Sequence, residues 1–220
     1  MMLGPNLFRP NQLFQNRSPF SGSKPTVMLF IPNMGTLVTP LVSNLLIWLQ
    51  KYDNLILYPF PQYFQPVSWA RNYCAKEFLK YPCDYLWFVD ADTIPPVNAL
   101  ELLLEPGVEM ISGVTYTLKR DIDGKLKRVA MTLKKAPEGQ IGYVEYVGQG
   151  VEEIDACGMS CCLIHRKIFE SINPPWFTLG NWEDEVRGED FRFCELVKKA
   201  GFKIYAHFGV VCGHQKTVII

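Results

Sequence analysis

A run of five apolar residues followed directly by two aspartates constrains this chain more than any other feature. The run YLWFV at residues 85–89 has the composition of a strand buried on both faces, and Asp90 and Asp92 come straight after it. Strands of this kind belong to parallel sheets covered by helices, and ligands bind beyond the carboxyl ends of such strands. The pattern therefore predicts an α/β domain with a polar site at one edge of its sheet.

Strand and helix patterns alternate along the chain up to Asp90. Short β-branched and aromatic runs predict strands at residues 26–31 and 55–60, and apolar residues at helical spacing predict helices at 41–51 and 66–79. We therefore expect an α/β fold, with a mostly parallel, Rossmann-like central sheet and helices on both of its faces.

The pattern changes in the second half of the chain. Alternating runs within residues 127–147 and an Asp123-Gly124 turn predict a small antiparallel portion. A helix predicted at residues 189–200, followed by a strand at 203–206, returns to the first pattern.

The chain reads as one domain at residues 25–220, preceded by an extended arm at residues 1–24 that is rich in Asn, Pro, Ser and Gln. Residues 25–50 contain no charge, but prolines, asparagines and a glycine interrupt them, so we expect no integral membrane segment. The cysteine count of seven is odd, and no secretory signal pattern opens the chain. A reduced, cytoplasmic protein is the simpler expectation.

The charges balance overall but not locally. Lys plus Arg number 22 and Asp plus Glu number 22, which argues against a protein that binds mainly to nucleic acid. Residues 117–135 nevertheless contain seven basic and two acidic residues, whereas residues 136–195 contain twelve acidic and four basic ones. The basic segment is either a solvated hairpin or a guide for an anionic acceptor or donor, and it keeps nucleic acid open as a partner. Its hairpin side chains are Lys119, Arg120, Lys125 and Lys127.

Carboxylates stand at two places where chemistry is plausible. Asp90 and Asp92 offer hard oxygen ligands for Mg²⁺ or Mn²⁺, although a strand end with a turn also favours Asp. Glu189 and Asp190 open the predicted last helix, where the helix dipole by itself favours negative charge. Together with the late His214, the two pairs supply metal ligands and a general base.

Four cysteines, taken together with His214, raise the alternative of a zinc site. Cys161 and Cys162 are adjacent on a predicted strand, so their side chains should point to opposite faces of the sheet and not share one ion. Buried free cysteines are the expected state for this group. The other candidate ligands are Cys157 and Cys212.

The order and spacing of these motifs resemble those of the GT-A glycosyltransferases, in particular short enzymes similar to glycosyltransferase family 2 that viruses and phages encode. The resemblance runs from residue 27 to residue 214. Its landmarks are LFIPNMG at 29–35, WARN at 69–72, FVDAD at 88–92, SGVTY at 112–116, DACGMSCCLIHRKIFE at 155–170 and GEDFRFC at 188–194.

The resemblance implies transfer of a sugar, as in a hexosyltransferase, from a UDP- or GDP-sugar to a glycan or other hydroxyl acceptor, with Mn²⁺ or Mg²⁺ as cofactor and, for a viral member, in the host cytoplasm. By the same resemblance Asp190, beside Glu189, is the catalytic base of an inverting reaction. It assigns donor binding to Pro32, Arg71, Asp90 and Gly158, and the metal to Asp90, Asp92 and His214.

Some of these residues have a second interpretation, and so does the whole chain. Arg71 also fits a packed helix residue, and Gly158 also fits a glycine kept for packing. A nucleotidyltransferase is an alternative, although no glycine- and lysine-rich phosphate loop lies near the first strand. The second alternative is a catalytically silent protein that binds a nucleotide sugar or a glycan.

Overall fold

The computed structural model describes residues 24–33, 35–58, 66–140, 142–179 and 188–215. The predicted arm lies outside these residues except for Lys24, and so do the last two residues of the strand predicted at 55–60. Within the described ranges the helices are α1 (Thr39–Lys51), α2 (Val67–Phe78), α3 (Ala99–Leu104), α4 (Arg166–Ser171) and α5 (Glu189–Lys199). The strands are β1 (Val27–Phe30), β2 (Leu55–Leu57), β3 (Tyr85–Val89), β4 (Thr93–Ile94), β5 (Met110–Val114), β6 (Tyr116–Arg120), β7 (Leu126–Ala130), β8 (Thr132–Lys135), β9 (Tyr143–Glu145), β10 (Val151–Ile154), β11 (Ala156–Cys157), β12 (Cys161–His165), β13 (Ile204–Val211) and β14 (Gly213–His214).

The main sheet of the described chain has seven strands in the order β10-β13-β5-β12-β3-β1-β2. β1 pairs in parallel with both β2 and β3, and β13 pairs in parallel with β5. β12 is antiparallel to both of its neighbours, and β10 is antiparallel to β13. Five strands therefore run in one direction and two in the other, which confirms a mixed α/β fold with a mostly parallel sheet.

Alternation along β1 divides the core into two clusters. Val27 and Leu29 belong to one cluster, whereas Met28 and Phe30 belong to the other. Because successive side chains of a strand point to opposite faces, the two clusters lie on the two faces of the sheet. The first cluster includes Leu41, Leu45 and Trp48 of α1 and Leu100 and Leu103 of α3, and the second includes Cys74 and Phe78 of α2 and Phe193 and Val197 of α5.

Helix α1 shows why its sequence folds against the sheet. Leu41, Leu45 and Trp48 recur at helical spacing and are its buried residues, while Pro40 stands in the first turn, where its missing N–H costs nothing. The Trp48 ring packs on Trp87 of β3 with the ring centroids 4.8 Å apart, and its indole N–H donates to the carbonyl of Val97 at 2.8 Å. The helix predicted at residues 41–51 is thus present and begins two residues earlier.

The antiparallel portion lies where the sequence predicts it. β6 and β7 form a hairpin, and β8 pairs with β9 and β11 in a smaller sheet. At the hairpin end Gly124 has φ +77°, and the Asp121 carboxylate accepts backbone N–H bonds from Asp123 and Lys125. A glycine adopts this left-handed backbone without the steric cost of a Cβ, which is why Asp123-Gly124 marks the turn.

Across the ranges that the structure describes, every helix is too short or too polar to cross a bilayer.

Candidate active site

The residues singled out from the sequence lie at one edge of the main sheet. β1, β3, β5 and β13 all end at this edge, and the antiparallel β12 begins there, since Cys161 pairs with Val89. Pro32 lies just beyond the end of β1, Asp90 follows β3, and His214 follows β13. In open α/β sheets this is the edge at which ligands bind.

Arg71 joins two of the predicted site carboxylates. Helix α2 places its side chain in the interior, where the residue is only 4% exposed. Its Nη2 donates to Asp90 Oδ1 at 3.1 Å, and its Nη1 makes a short hydrogen bond to Glu189 Oε1. Two carboxylates therefore compensate the charge of the buried guanidinium. The guanidinium predicted to contact the donor is engaged by these carboxylates on both of its terminal nitrogens.

Asp190 stands beside this ion pair at the start of α5. Its side chain is partly buried, and its Oδ1 accepts the backbone N–H of Phe191 at 2.9 Å. Burial, followed by the charge of Glu189, raises the pKa of Asp190 to about 6, while Arg71 acts in the opposite direction. A carboxyl group with this pKa is largely ionised at neutral pH yet more basic than an ordinary aspartate, which suits a general base.

Gly158 lies against the Asp190 carboxylate. A Cβ added to Gly158 would be 3.7 Å from Asp190 Oδ2 and 3.4 Å from the Cβ of Met131. These are ordinary contact distances, so the glycine leaves one methyl group's worth of space beside the carboxylate rather than avoiding a clash. The structure thus places both predicted residues, the donor-site glycine and the base, side by side.

Asp92 and His214 form the second pair at this edge. β14 pairs with β4, so that His214 lies opposite Thr93, and His214 Nε2 is 3.2 Å from Asp92 Oδ2. The other ring nitrogen, Nδ1, is 2.7 Å from the carbonyl oxygen of Tyr116. A carbonyl oxygen only accepts, so Nδ1 donates to Tyr116, and Nε2 is the ring nitrogen that faces Asp92.

The Asp92–His214 pair has the donor chemistry of a divalent-cation site. A metal-binding His usually donates its second N–H to a carbonyl, as Nδ1 of His214 does to Tyr116. Mg²⁺ and similar ions bind proteins through few ligands and take the others from water and phosphate oxygens. In the parts of the chain that are described, no three His, Cys, Asp or Glu side chains gather as a ready-made metal site. Asp90, the third predicted ligand, is turned to Arg71.

Cys161 and Cys162 lie on opposite faces of the sheet, as the strand pattern predicts. Cys162 belongs to the same core cluster as Met28, whereas Cys161 belongs to the cluster of Val27, on the other face. All seven cysteines of the chain are described, buried and free. The described residues thus contain no cluster for the zinc alternative.

Asp92 and His214 each line a cavity. The larger, of about 500 Å³, is lined by residues 36–40 together with Ala91, Asp92 and Gln215. The smaller, of about 280 Å³, is lined by residues 116–118, Arg128 and residues 212–214. Each member of the pair therefore borders a space that is open to ligands.

Two contributors to the site were not assigned from the sequence. Tyr116 acts through its backbone carbonyl, which no residue-type signal reveals. Asn72, next to Arg71, accepts the backbone N–H groups of Trp176 at 2.8 Å and Phe177 at 3.1 Å through its Oδ1. Both Arg71 and Asn72 belong to the WARN motif at residues 69–72. The Asn72 amide fixes the backbone of Trp176 and Phe177, and Arg71 holds the start of α5 through Glu189.

Comparisons with known proteins support the fold. No protein-family model matches the chain, and no curated protein matches it either. Among solved structures it is similar to A197 from STIV, with a TM-score of 0.57 and 18% identity over 87% of this chain and 86% of that one. It is also similar to GalNAc-T7, solved with UDP, GalNAc and Mn²⁺, with a TM-score of 0.52 and 12% identity over 88% of this chain and 44% of that one. These likenesses show that the chain has a GT-A-like fold.

Proposed function

We propose that this protein is a glycosyltransferase that moves a sugar from a nucleoside-diphosphate sugar to an acceptor hydroxyl, with Asp190 as the base. The observation that carries the proposal is the placement of Asp190, whose pKa is raised to about 6, at the same sheet edge as the Asp92–His214 pair. The GT-A-like fold supports it, and one similar protein, GalNAc-T7, was solved with UDP, GalNAc and Mn²⁺.

The structure favours Asp190 over Glu189 as the base. Glu189 is buried, and its carboxylate forms an ion pair with Arg71. Asp190 accepts a backbone N–H on one oxygen, and its other oxygen lies toward Gly158. In this proposal Asp190 takes the proton from the acceptor hydroxyl, while Glu189 positions the helix start through Arg71.

The reaction is a direct displacement at the anomeric carbon. The acceptor oxygen forms a bond to that carbon as the bond to the diphosphate oxygen breaks, and the electron pair of the broken bond leaves with the nucleoside diphosphate. The acceptor proton goes to Asp190. A single displacement inverts the anomeric configuration, so we propose an inverting enzyme.

Asp92 and His214 would hold the divalent cation, Mn²⁺ or Mg²⁺. The bound ion offsets the negative charge that develops on the leaving diphosphate. Asp92 and His214 fit this role because a carboxylate oxygen of Asp92 and Nε2 of His214, both of which are metal-ligand atom types, lie 3.2 Å apart. The cavities that the two residues line leave room for the ligands that the protein does not supply.

Donor binding is proposed for Pro32, Asp90 and Gly158. Asp90 is held by Arg71 but keeps 28% of its side chain exposed, so its carboxylate can still accept a hydrogen bond from a ribose hydroxyl. Arg71 itself is proposed to orient Asp90 rather than to contact the donor, because its terminal nitrogens are bonded to Asp90 and Glu189.

Incubation with a panel of UDP- and GDP-sugars and Mn²⁺ tests the proposal. We expect release of free nucleoside diphosphate, faster with a suitable hydroxyl acceptor, and a product of inverted configuration. Released pyrophosphate would instead show a nucleotidyltransferase, and binding of the sugar nucleotides without any release would show a silent binding protein. Asp190→Asn is the matched variant, since it should bind the donor and fail to transfer the sugar.

A further inference from the structure

The hairpin of β6 and β7, called here the basic hairpin, has five basic side chains against two carboxylates, Asp121 and Asp123, which lie at its turn. Lys119 and Lys127 lie directly opposite each other in its ladder. Like charges in this position destabilise a strand pair. Among the residues that the structure describes, no carboxylate forms a salt bridge with a basic side chain of this hairpin, all of which are exposed. These side chains are Lys119, Arg120, Lys125, Lys127 and Arg128.

Arg128 is ordered on one face of this hairpin. Its guanidinium carbon lies 3.6 Å from the centroid of the Tyr116 ring, which is a stacked cation–π contact. Stacking leaves the N–H groups along the guanidinium edge available, and their fork geometry matches a carboxylate. Because the side chain is already positioned, less conformational entropy is lost when it binds an anion.

Tyr116 connects Arg128 to the proposed catalytic centre. Its ring lies under Arg128, while its carbonyl oxygen accepts from His214 Nδ1. Arg128 and His214 both line the cavity of about 280 Å³. An anionic group bound by Arg128 would therefore lie next to this cavity, which His214 also lines.

The same hairpin face extends away from the cavity. Alternation places Arg120, Leu118 and Leu126 on the face that holds Arg128. Leu118 and Leu126 are 44% and 49% exposed. Apolar side chains between two arginines suit a chain whose units present both C–H surfaces and negative charges. The Lys119–Lys127 pair on the reverse face adds to the local positive potential.

We propose that this face of the basic hairpin is the acceptor subsite and that it binds an acidic glycan, a chain of sugars that bear carboxylates. Arg128 binds the carboxylate of the sugar nearest the cavity, and Arg120 binds one further along. The inference rests on the proposed function and specifies its acceptor. It favours a glycan over nucleic acid because the hairpin has one aromatic ring, that of Tyr116, and Arg128 already covers it, whereas single-stranded nucleic acid binds through uncovered stacking aromatics.

Calorimetry of the full chain with short oligouronates at low salt tests the inference. The probes are tetragalacturonate, its fully methyl-esterified and therefore uncharged form, and a hyaluronan tetrasaccharide. We expect an acidic oligosaccharide to bind and the ester of tetragalacturonate to bind at least about tenfold more weakly, which corresponds to one lost charge-assisted contact. Raising the salt concentration should weaken the binding.

Variants locate the binding. Arg128→Gln should weaken oligouronate binding by about tenfold, and Arg120→Gln by a smaller factor. Lys167→Gln is the charge-matched control, because Lys167 is exposed on α4 near the opposite edge of the sheet, and it should bind like the wild type. Arg128→Lys keeps the charge without the planar fork and should fall between Arg128→Gln and wild type.

Several results would overturn the inference. They are equal binding of the acid and its ester, no binding of any oligouronate, unchanged binding by Arg128→Gln, and tighter binding of an oligothymidylate than of every oligouronate. The proposed function fails separately, since a wild type that binds oligouronates but releases no nucleoside diphosphate refutes glycosyl transfer alone. A wild type that releases nucleoside diphosphate but binds no oligouronate refutes the acidic acceptor alone.

Discussion

The buried side chain of Arg71 forms hydrogen bonds with both Glu189 and Asp90, although these two carboxylates are far apart in the chain. Asp90 follows the central strand β3, and Glu189 opens α5. One cation thus fixes the helix that bears Asp190 against the end of the sheet. It also keeps the negative charge of Glu189 beside Asp190, where that charge contributes to the raised pKa of Asp190.

Arg71→Gln should destabilise the protein by about 3 kcal/mol, because removing one partner of a buried ion pair leaves the other partner's charge without compensation. Urea unfolding measures this difference in the free energy of unfolding. Arg192→Gln is the control, since Arg192 pairs with Glu195 at the surface, where such pairs contribute only about 0–1 kcal/mol. Equal stability of the two variants would contradict a structural role for Arg71.

The pH dependence of transfer should follow Asp190. With a pKa of about 6, its carboxyl group is protonated at lower pH and cannot accept a proton. We expect kcat/KM to fall about tenfold per pH unit below pH 6 and to level off above it. Initial rates from pH 4.5 to 8 with saturating Mn²⁺ give the profile. A rate that is independent of pH across about 5–7 would remove Asp190 from the role of base.

The free energy of unfolding should also depend on pH through Asp190, and the sign of that dependence follows from its raised pKa. An ordinary unfolded aspartate has a pKa of about 3.9, so between about pH 4 and pH 6 the folded state holds more protons on Asp190 than the unfolded state does. The contribution of Asp190 to stability therefore falls as pH rises through this range, by about 2–3 kcal/mol in total. Urea unfolding of Asp190→Asn at pH 4 and pH 7 isolates it, because the variant should lack this decrease. The same pH dependence in variant and wild type would contradict the raised pKa.

The sequence predicts the parts of this site that depend on where a strand ends. An apolar run such as residues 85–89 must be buried, so the polar residues after it fall at the sheet edge, and Asp90 and Asp92 are found there. Local periodicity likewise predicts α5 and the hairpin turn at Asp123-Gly124.

The sequence does not predict contacts between elements that are distant in the chain. The pairing of Arg71 with Glu189 depends on how α2 and α5 pack, and no local pattern encodes it. Any residue type at position 116 would present the same backbone carbonyl, so its hydrogen bond with His214 cannot be predicted from the sequence. The insertion of the antiparallel β12 between β3 and β5 is missed for the same reason, because a buried strand reads alike in either direction.

Asp92→Asn and His214→Gln should each reduce the gain in nucleotide affinity that Mn²⁺ provides. Calorimetry with UDP and with GDP, each with and without MnCl₂, measures that gain, and we expect it to fall by at least about tenfold because each variant removes one of two protein ligands. Glu170→Gln is the control, since Glu170 pairs with Arg166 on α4, away from this edge. An unchanged response to Mn²⁺ in Asp92→Asn would refute its assignment as a ligand.

Gly158→Ala should leave the fold intact and slow the reaction. The added Cβ would meet Met131 Cβ at 3.4 Å and Asp190 Oδ2 at 3.7 Å, so the backbone need not move, and we expect the free energy of unfolding to change by less than about 1 kcal/mol. The methyl group occupies the space beside the Asp190 oxygen that the acceptor hydroxyl must approach, so kcat/KM should fall severalfold, and further in Gly158→Val. Affinity for UDP or GDP with Mn²⁺ serves as the internal control in both variants, because these nucleotides lack the sugar, the part of the donor that Gly158 is proposed to approach. If kcat/KM stays at the wild-type value in Gly158→Val, the acceptor does not approach Asp190 past Gly158, and the proposed direction of attack is wrong.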